Sequence, residues 1–297
     1  MDHPIDCRGL TKHYGHVVGI EGLDLVVERG TVTGFLGPNG AGKTTVIRIL
    51  VGLLRATAGS ATLFGVSVAD AAARVRLGYM PADPSFYLPL TGAQNLELLG
   101  RLQNSDCPDR GWAAELLDLP DSVLQRPVRD YSSGMVQKLA LIQAVQHRPD
   151  LVVLDEPANR LDPLAHRCFE ELVRTIAAAG RTVFLSSHML TEVQDVCDQV
   201  AMVRAGRLLT ATSVGELSAA EPRRLRVRYK SPPAVLPDEL IDPVVHDGVL
   251  VARLRGGSVE VLRRLLDDPN VTDLIVEPAA LEEAFMTLYA EHTGGEE

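Results

Sequence analysis

The sequence predicts an α/β fold with a parallel core sheet, an antiparallel β subdomain, a helical subdomain and a small α+β domain at the C-terminal end. Two short runs, LVVLD at 151–155 and TVFLS at 182–186, are apolar except at their ends, and a helical stretch separates them. Apolar strands joined through helices are typical of a parallel sheet that is buried on both faces. Between 5 and 27, short apolar runs instead alternate with turn residues, which is typical of antiparallel strands.

The N-terminal part of the chain leads from the antiparallel strands into a strand–turn–helix unit. We expect turns at Gly15 and Gly22, a strand at 31–36 and then a glycine-rich turn. The next helix is predicted at 44–54, because its apolar residues recur at helical spacing. These residues are Val46, Ile49, Leu50, Leu53 and Leu54.

The middle of the chain, at 91–149, is predicted to be mostly helical. Proline or glycine interrupts it repeatedly, which indicates several short helices. The expected breaks are at Pro108, Gly111, Pro120 and Pro127. Further on, the segment 200–212 predicts a β-hairpin that turns at Ala205–Gly206.

A change of composition near 218–222 predicts a domain boundary, which divides the chain into 1–218 and 219–297. The second part is expected to contain strands at 225–229, 249–254 and 271–277 and helices at 259–266 and 281–289. Basic residues alternate with apolar ones between 223 and 230. We interpret them as the solvated face of a strand rather than as an anion site, because the period is that of a strand.

Composition argues against several classes of protein. The 297 residues carry a net charge of −10, and a general nucleic-acid-binding protein needs an excess of lysine and arginine instead. None of the cysteines is in a CxxC pair, so neither a zinc site nor a disulfide framework is expected. The N-terminal residues lack the apolar core of a signal peptide, and no apolar run reaches the roughly 18 residues of a membrane helix. We therefore expect any membrane role to come through a partner.

The segment GPNGAGKTT at 37–45 lies between the predicted strand and helix and has the spacing G-x-x-x-x-G-K-[ST] of a phosphate-binding loop. Its members are Gly37, Pro38, Asn39, Gly40, Ala41, Gly42, Lys43, Thr44 and Thr45. The glycines let successive backbone N–H groups face inward, and the helix N-terminus adds a positive dipole. We expect Lys43 to neutralise the β- and γ-phosphates of a nucleotide and the Thr44 hydroxyl to bind Mg²⁺.

A second motif, LVVLDEP at 151–157, ends an apolar strand in two carboxylates. The strand places Asp155 at its carboxyl end, where ligands bind in open α/β sheets, and Asp155 can hold Mg²⁺ directly or through water. Glu156 follows, and a carboxylate there can orient and polarise an attacking water molecule. Without the phosphate loop, the same residues would fit any buried strand that ends in an acidic turn.

A third motif, at 130–150, begins with the small residues Ser132, Ser133 and Gly134 ahead of a helix. A serine at such a place is usually only a helix N-cap. The order of the motifs, however, resembles that of the ABC ATPases: GPNGAGKTT, then YSSGM where the family usually has LSGGQ, then LVVLDEP, NRLDP and SSH. The resemblance covers about residues 5–218. It implies a P-loop NTPase of the ABC cassette type that binds ATP and Mg²⁺ and hydrolyses ATP.

The resemblance implies roles for residues that the chemistry of single motifs does not assign. Tyr14 would stack on adenine. Asp162, in NRLDP, would line a dimer interface. His188, in LSSHML, would contact the γ-phosphate, and with Lys43 and Glu156 it makes up the expected catalytic set.

The resemblance also implies partners. Ser132 and Gly134 would contact ATP bound to a second cassette, so one chain with one copy of each motif implies a cassette dimer, with a homodimer expected. A separate transmembrane permease would hold the pair at the cytoplasmic face of the cell membrane. YSSGMVQKL, and the segment EPAALEEAFMTLYAE at 277–291, resemble single-cassette subunits of ABC-2-type exporters of drugs, antibiotics or lipid-like substrates.

The chain also departs from the family pattern at positions where the family residues have roles. Ala82 stands where the family has Gln or, in this subgroup, Glu, a residue that helps to bind magnesium and water. Ala158 and Arg160 replace the usual Ser/Thr and Gly, and Met135 replaces the last Gln of the signature. Because these departures spare the lysine, both carboxylates and the histidine of the expected site, hydrolysis remains the expectation.

Two other functions stay open at the level of sequence. One is a soluble ABC ATPase that acts on ribosomes or DNA. Ribosome-acting relatives carry two cassettes in one chain, and DNA-repair relatives carry a long coiled-coil insertion, whereas this sequence has one cassette and no heptad run. The other is a regulatory cassette that does not hydrolyse ATP; Ala82, in place of the usual Gln or Glu, is the observation that suggests it.

Overall fold

A computed structural model describes residues 2–220, 222–231, 236–254 and 259–277, except for the side chains of 218–220. The chain divides into two compact units, Met1–Thr212 and Ser213–Glu297. The boundary predicted after residue 218 falls within a helix of the second unit, Val214–Ala220. The helix predicted at 281–289 lies outside the described residues.

Strands and helices of the first unit follow one another along the chain. The strands are β1 (Ile5–Tyr14), β2 (Val17–Val27), β3 (Val32–Leu36), β4 (Ala58–Leu63), β5 (Val66–Ser67), β6 (Leu77–Met80), β7 (Leu151–Asp155), β8 (Thr182–Ser187), β9 (Gln199–Arg204) and β10 (Arg207–Ser213). The helices are α1 (Lys43–Leu50), α2 (Gly92–Leu102), α3 (Arg110–Leu116), α4 (Asp121–Leu124), α5 (Ser133–Val145), α6 (Pro163–Ala178) and α7 (Leu190–Val196). Short 3₁₀ turns occupy Ala71–Arg74 and Val128–Asp130.

The predicted parallel sheet is confirmed, with strand order β10-β9-β3-β8-β7-β6. Strands β9, β3, β8, β7 and β6 run parallel, and β3, β7 and β8 are buried along their whole length. The predicted hairpin of β9 and β10 is also confirmed; Ala205 and Gly206 both have positive φ. Because β8 lies between β3 and β7, the sheet brings the carboxyl ends of these three strands together.

The antiparallel sheet has the order β2-β1-β4-β5. The turn predicted at Gly15 is confirmed, since it separates β1 from β2. The turn predicted at Gly22 is wrong. Gly22 lies inside β2 with φ of 61°, where the register with β1 shifts between Leu10 and Lys12. A glycine inside a strand is typical of such an irregularity as well as of a turn.

Helix α1 ends four residues earlier than the apolar spacing predicts. Gly52 adopts φ of 75° and donates its N–H to the carbonyl of Ile49, and the N–H of Leu53 bonds to the carbonyl of Arg48. This pair of bonds is the Schellman arrangement, which satisfies the last carbonyls and ends the helix. Leu53, one of the apolar residues at helical spacing in the predicted helix, therefore lies beyond α1 and is 68% exposed.

The segment between β6 and β7 is helical, as predicted, and carries α2, α3, α4 and α5. Gly111 does not interrupt it, because this residue lies in the first turn of α3. Just before α3, buried Asp109 accepts hydrogen bonds from Arg148, in the connection between α5 and β7, and from Arg181, which precedes β8. The carboxylate therefore fastens the helical segment to the core sheet.

We expect Asp109→Ala to lower the free energy of unfolding of the chain by on the order of 3 kcal/mol, because it leaves the side chain of Arg181, 12% exposed, without its counter-ion. Chemical denaturation followed by circular dichroism measures the change. Exposed Asp106, three residues away, is the matched control, and Asp106→Ala should leave the midpoint nearly unchanged. Equal midpoints for the two variants would show that the Asp109 cluster does not fasten the segment.

The second unit contains a helix, α8 (Val214–Ala220), and an antiparallel sheet. Its further elements are β11 (Arg223–Tyr229), β12 (Leu240–His246), β13 (Val249–Leu254), α9 (Val259–Leu266) and β14 (Val271–Glu277). The sheet order is β12-β13-β11-β14. Along β11 the basic residues are exposed and the apolar ones buried, which confirms that the basic run is a solvated strand face. Of the helices in the described residues, none combines the length and the apolar character needed to cross a membrane.

Candidate functional site

The loop between β3 and α1 has the backbone that a phosphate cradle needs. Gly40 and Gly42 adopt φ of 82° and 103°, in the left-handed region that favours glycine. At Gly37 an added Cβ would lie 2.3 Å from the carbonyl oxygen of Val203. The loop therefore requires these glycines both for its curvature and for its close approach to β9.

Lys43, the first residue of α1, is buried at the mouth of this loop. Its Nζ donates to the carbonyl oxygens of Gly37 at 2.6 Å and of Pro38 at 3.3 Å. It also forms an ion pair with Glu156, with 3.1 Å between Nζ and Oε1. The ammonium group is thus fixed between the loop and the carboxyl end of β7, where a phosphate held by the loop would meet it.

Asp155, the last residue of β7, is 1% exposed. Its Oδ1 accepts hydrogen bonds from the hydroxyl groups of Ser186 at 2.6 Å and Thr44 at 3.4 Å. Its Oδ2 is buried and has no hydrogen-bond partner in the described part of the chain. Burial raises the pKa of this carboxyl, while the two hydroxyl groups oppose that shift. A buried carboxylate oxygen without a partner, next to a threonine hydroxyl, fits a Mg²⁺ ion, which prefers oxygen ligands.

Glu156 is held between two cationic or polar side chains. One oxygen faces Lys43, and the other, Oε2, lies 2.6 Å from Nδ1 of His188. The backbone of Glu156 has φ of 51°, and its N–H donates to Oγ of Ser186 at 2.9 Å. Non-glycine residues in this conformation are uncommon and are concentrated at functional sites. With this backbone conformation, the carboxylate contacts Lys43 at the phosphate loop and His188 after β8.

A cleft of about 400 Å³ opens above these groups. Ten of the residues expected from the sequence line it: Tyr14, Pro38, Asn39, Gly40, Gly42, Lys43, Thr44, Thr45, Glu156 and His188. At its rim, the hydroxyl groups of Tyr14 and Thr45 lie 3.4 Å apart. The cleft therefore joins a phosphate-binding loop, a general-base candidate and an aromatic ring, a combination that suits a nucleotide.

The other expected residues do not line this cleft. Gly37, Ala41 and Asp155 are buried within the protein. Ser132 caps α5 by accepting from the N–H of Met135, and Asp162 caps α6 by accepting from the N–H groups of Leu164 and Ala165. Gly134 lies close to the loop after β7, because a Cβ there would be 3.3 Å from the carbonyl oxygen of Arg160.

Three residues at the site were not expected from the sequence. Ser186 bonds to Asp155 and to the backbone of Glu156; it is the first residue of the SSH motif, in which only His188 was given a role, and it pairs with Asp155 in the β7–β8 register. Gln137, buried in α5, donates to the carbonyl of Pro157 at 2.8 Å and so ties the signature helix to the loop after β7. Asn159 lines the cleft from that same loop.

Two of the departures from the family pattern are connected in the structure. Arg160 adopts φ of 70° and donates to Oδ1 of Asp83 at 3.1 Å. Asp83 follows Ala82, and its side chain is 87% exposed. The carboxylate next to Ala82 is therefore directed to Arg160, so it does not take the place of a glutamine at position 82.

Comparison with known proteins finds related sequences and structures. Residues 20–159 match the family described as ABC transporter. A daunorubicin resistance ATP-binding protein, DrrA3 of Streptomyces coeruleorubidus, is 37% identical over 92% of this chain and 84% of its own length. An uncharacterized ABC transporter ATP-binding protein of Nostoc sp. is 38% identical, over 69% of this chain and 63% of its own length. The chain thus spans less than two thirds of the Nostoc protein.

A solved structure has a similar fold over most of the chain. It is described as the ATP-binding subunit of an ABC transporter and is 26% identical, with a TM-score of 0.68. The match covers 73% of this chain and 92% of that protein.

Proposed function

The chain belongs to the ABC transporter ATP-binding proteins, and on that premise we propose that it is the ATP-hydrolysing subunit of a membrane exporter. The observation that carries the proposal is the convergence of Lys43, Glu156 and His188 on one cleft above the phosphate loop. A cation for the phosphates and a carboxylate for the attacking water are the groups that phosphoryl transfer to water requires.

Each group has a separate task in this proposal. The N–H groups of the loop and the ammonium of Lys43 hold the phosphates of ATP, and Tyr14 stacks on the adenine. Thr44 and Asp155 would hold Mg²⁺, which would supply positive charge to neutralise the phosphates. Glu156 orients and polarises the attacking water, and His188 fixes its second carboxylate oxygen.

The working unit in this proposal is a pair of cassettes. Ser132 and Gly134 stand at the start of α5 outside their own cleft, with backbone N–H groups that suit an anion. They would contact the γ-phosphate bound to a second copy of the chain, and Asp162 would lie at the interface between the copies. The pair would act on a separate transmembrane permease at the cytoplasmic face of the membrane.

An exporter is the subgroup we propose, because the relative from Streptomyces coeruleorubidus is named for daunorubicin resistance. The substrate class would be a drug, an antibiotic or a lipid-like molecule. Residues 1–218 would form the cassette and 219–297 a small accessory domain.

Two measurements test the proposal. The purified chain should hydrolyse ATP only with Mg²⁺, and it should co-purify with a membrane protein of about six apolar spans encoded beside it, since such spans need about 20 residues each. Mg²⁺-dependent ATP hydrolysis without any such neighbour would contradict the transporter and favour a soluble ABC ATPase. Binding of ATP with no turnover alone or with the permease would contradict hydrolysis and favour a regulatory cassette.

We expect Ala82→Gln to raise the basal rate of ATP hydrolysis by about ten- to hundredfold, since one oxygen ligand or hydrogen bond is typically worth about 1–3 kcal/mol. Ala82 has no oxygen to offer Mg²⁺ or water, and Asp83 is engaged with Arg160. The KM for ATP should change little. Steady-state kinetics check this, with Ala82→Asn as a control for side-chain length. A rate no faster than that of the unchanged chain, together with an inactive Asp83→Ala, would assign the role to Asp83 instead.

A further inference from the structure

A second buried carboxylate lies behind the site and has no role in the function proposed above. Glu192, in α7, is 3% exposed. Its Oε2 lies 2.6 Å from the hydroxyl oxygen of Ser187, at the end of β8. Its Oε1 is buried and without a hydrogen-bond partner among the described residues. Burial of a charged carboxylate with a single hydrogen bond costs free energy, so such a group is expected to be protonated or to have a function.

Ser187 connects this carboxyl to the turn that carries His188. Its Oγ accepts from the N–H of Met189 at 2.9 Å and lies 3.3 Å from the carbonyl oxygen of the same residue. The serine hydroxyl therefore spans His188 and fixes the backbone on its far side. His188 in turn contacts Glu156, which contacts Lys43. Glu192 thus stands at one end of a continuous chain of contacts that ends at the phosphate-binding lysine.

The protonation state of Glu192 decides which hydrogen bonds form along this series of contacts. A neutral carboxyl donates to Ser187, whose own proton is then available for the carbonyl of Met189. A carboxylate accepts the serine proton instead, and the carbonyl loses its donor. The charged and titratable groups that surround Glu192 are His166 on α6, Glu156 and His188 beyond β7 and β8, and Cys197 after α7. Burial raises the pKa of Glu192 to about 7, which puts the change within the physiological range.

We propose that Glu192 is a positioning residue for hydrolysis, which in its neutral form holds, through Ser187, the turn that presents His188 to Glu156. The proposal rests on the function proposed above, because it assumes that Glu156 and His188 act on ATP. It assigns Glu192 no contact with ATP, so it predicts an effect on kcat and not on the KM for ATP.

The first test is steady-state ATP hydrolysis at pH 6.5. We expect Glu192→Ala and Ser187→Ala each to lower kcat about tenfold with the KM for ATP within twofold, as expected for one lost hydrogen bond in a positioning chain. Glu192→Gln, whose amide can still donate to Ser187, should retain at least half of kcat. The exposed acid Asp195 lies on the same helix, and Asp195→Asn is the matched control for the change of charge. An unchanged kcat in both alanine variants would overturn the proposal.

The second test is the pH dependence of kcat. In the unchanged chain kcat should fall as the pH rises through about 7, because Glu192 loses its proton, and in Glu192→Gln this fall should be absent. The stability of the fold should change with pH in the same direction as kcat. The pKa of Glu192 in the folded protein lies above its ordinary value of 4.5, so the free energy of unfolding decreases as the pH rises from about 4.5 to about 7. Glu192→Gln should therefore raise the melting temperature at pH 8 but not at pH 5. The same pH profile in both proteins would overturn the role of the neutral form.

A third measurement separates this proposal from the function on which it rests. NMR spectra are recorded on the full chain labelled at the histidine rings. The signals that disappear in His188→Asn are those of the His188 ring. At pH 6.5 those signals should shift in Glu192→Ala, which removes the contact with Ser187, and stay in place in Asp195→Asn, whether or not ATP is hydrolysed. If the chain hydrolyses no ATP while the shift occurs, the proposed function fails and the link from Glu192 to His188 stands. If ATP is hydrolysed and the signals do not move, the link fails.

Discussion

Lys43→Ala is expected to reduce the turnover of ATP at least about a hundredfold, with loss of most ATP binding. The ammonium is buried and held by the carbonyls of Gly37 and Pro38 and by Glu156, so the phosphates of ATP would meet a pre-positioned cation in a partly desolvated cleft. Charge-assisted bonds in such sites contribute several kcal/mol, and removal of one pre-positioned donor typically costs about 10²–10³ in rate.

Binding of a fluorescent ATP analogue and steady-state hydrolysis measure the two effects of Lys43→Ala separately. Lys230→Ala is the matched control, because Lys230 is an exposed lysine of the second unit. Circular dichroism of both variants shows whether the fold is retained. Hydrolysis at the rate of the unchanged chain in a folded Lys43→Ala variant would contradict the assignment of 37–45 as the phosphate-binding loop.

Glu156→Gln should bind ATP at least as tightly as the unchanged chain and hydrolyse it at least about a hundredfold more slowly. The amide has nearly the same shape but no negative charge to polarise water, and general-base catalysis contributes about 10²–10⁴. The carboxylate also competes with phosphate for Lys43, since its Oε1 lies 3.1 Å from Nζ. Its removal frees the cation for ATP, so tighter binding and slower turnover should occur together.

With ATP and Mg²⁺, Glu156→Gln should also accumulate as a dimer in gel filtration or light scattering. The unhydrolysed nucleotide would bridge Lys43 of one copy and Ser132 of the other. Glu171→Gln, at an exposed position on α6, is the matched control and should neither slow hydrolysis nor dimerise the chain. A Glu156→Gln variant that binds ATP yet stays monomeric at high protein concentration would count against the paired cassettes.

The misplaced elements show where local patterns are ambiguous. The sequence predicts a break at Gly22 and at Gly111, but the first lies within a strand and the second within a helix. Conversely, Gly52 ends α1, where apolar spacing alone extends the helix. Strand β12 was not predicted, because it contains Pro243 beside a register shift and so lacks the alternation of an ordinary strand. The conformation of a glycine depends on its neighbours in space, which single-residue propensity does not describe.

The sequence by itself determined the parallel core, the phosphate loop and the two carboxylates at the end of β7. These features follow from patterns within a few residues: apolar runs, glycine spacing and the place where a strand ends. Only the tertiary structure decided that β8 lies between β3 and β7, which brings Ser186 to Asp155 and His188 to Glu156. It also decided that Glu192 is buried beneath them. Contacts of this kind join residues far apart in the chain, and burial of the whole sheet, not any local preference, selects them.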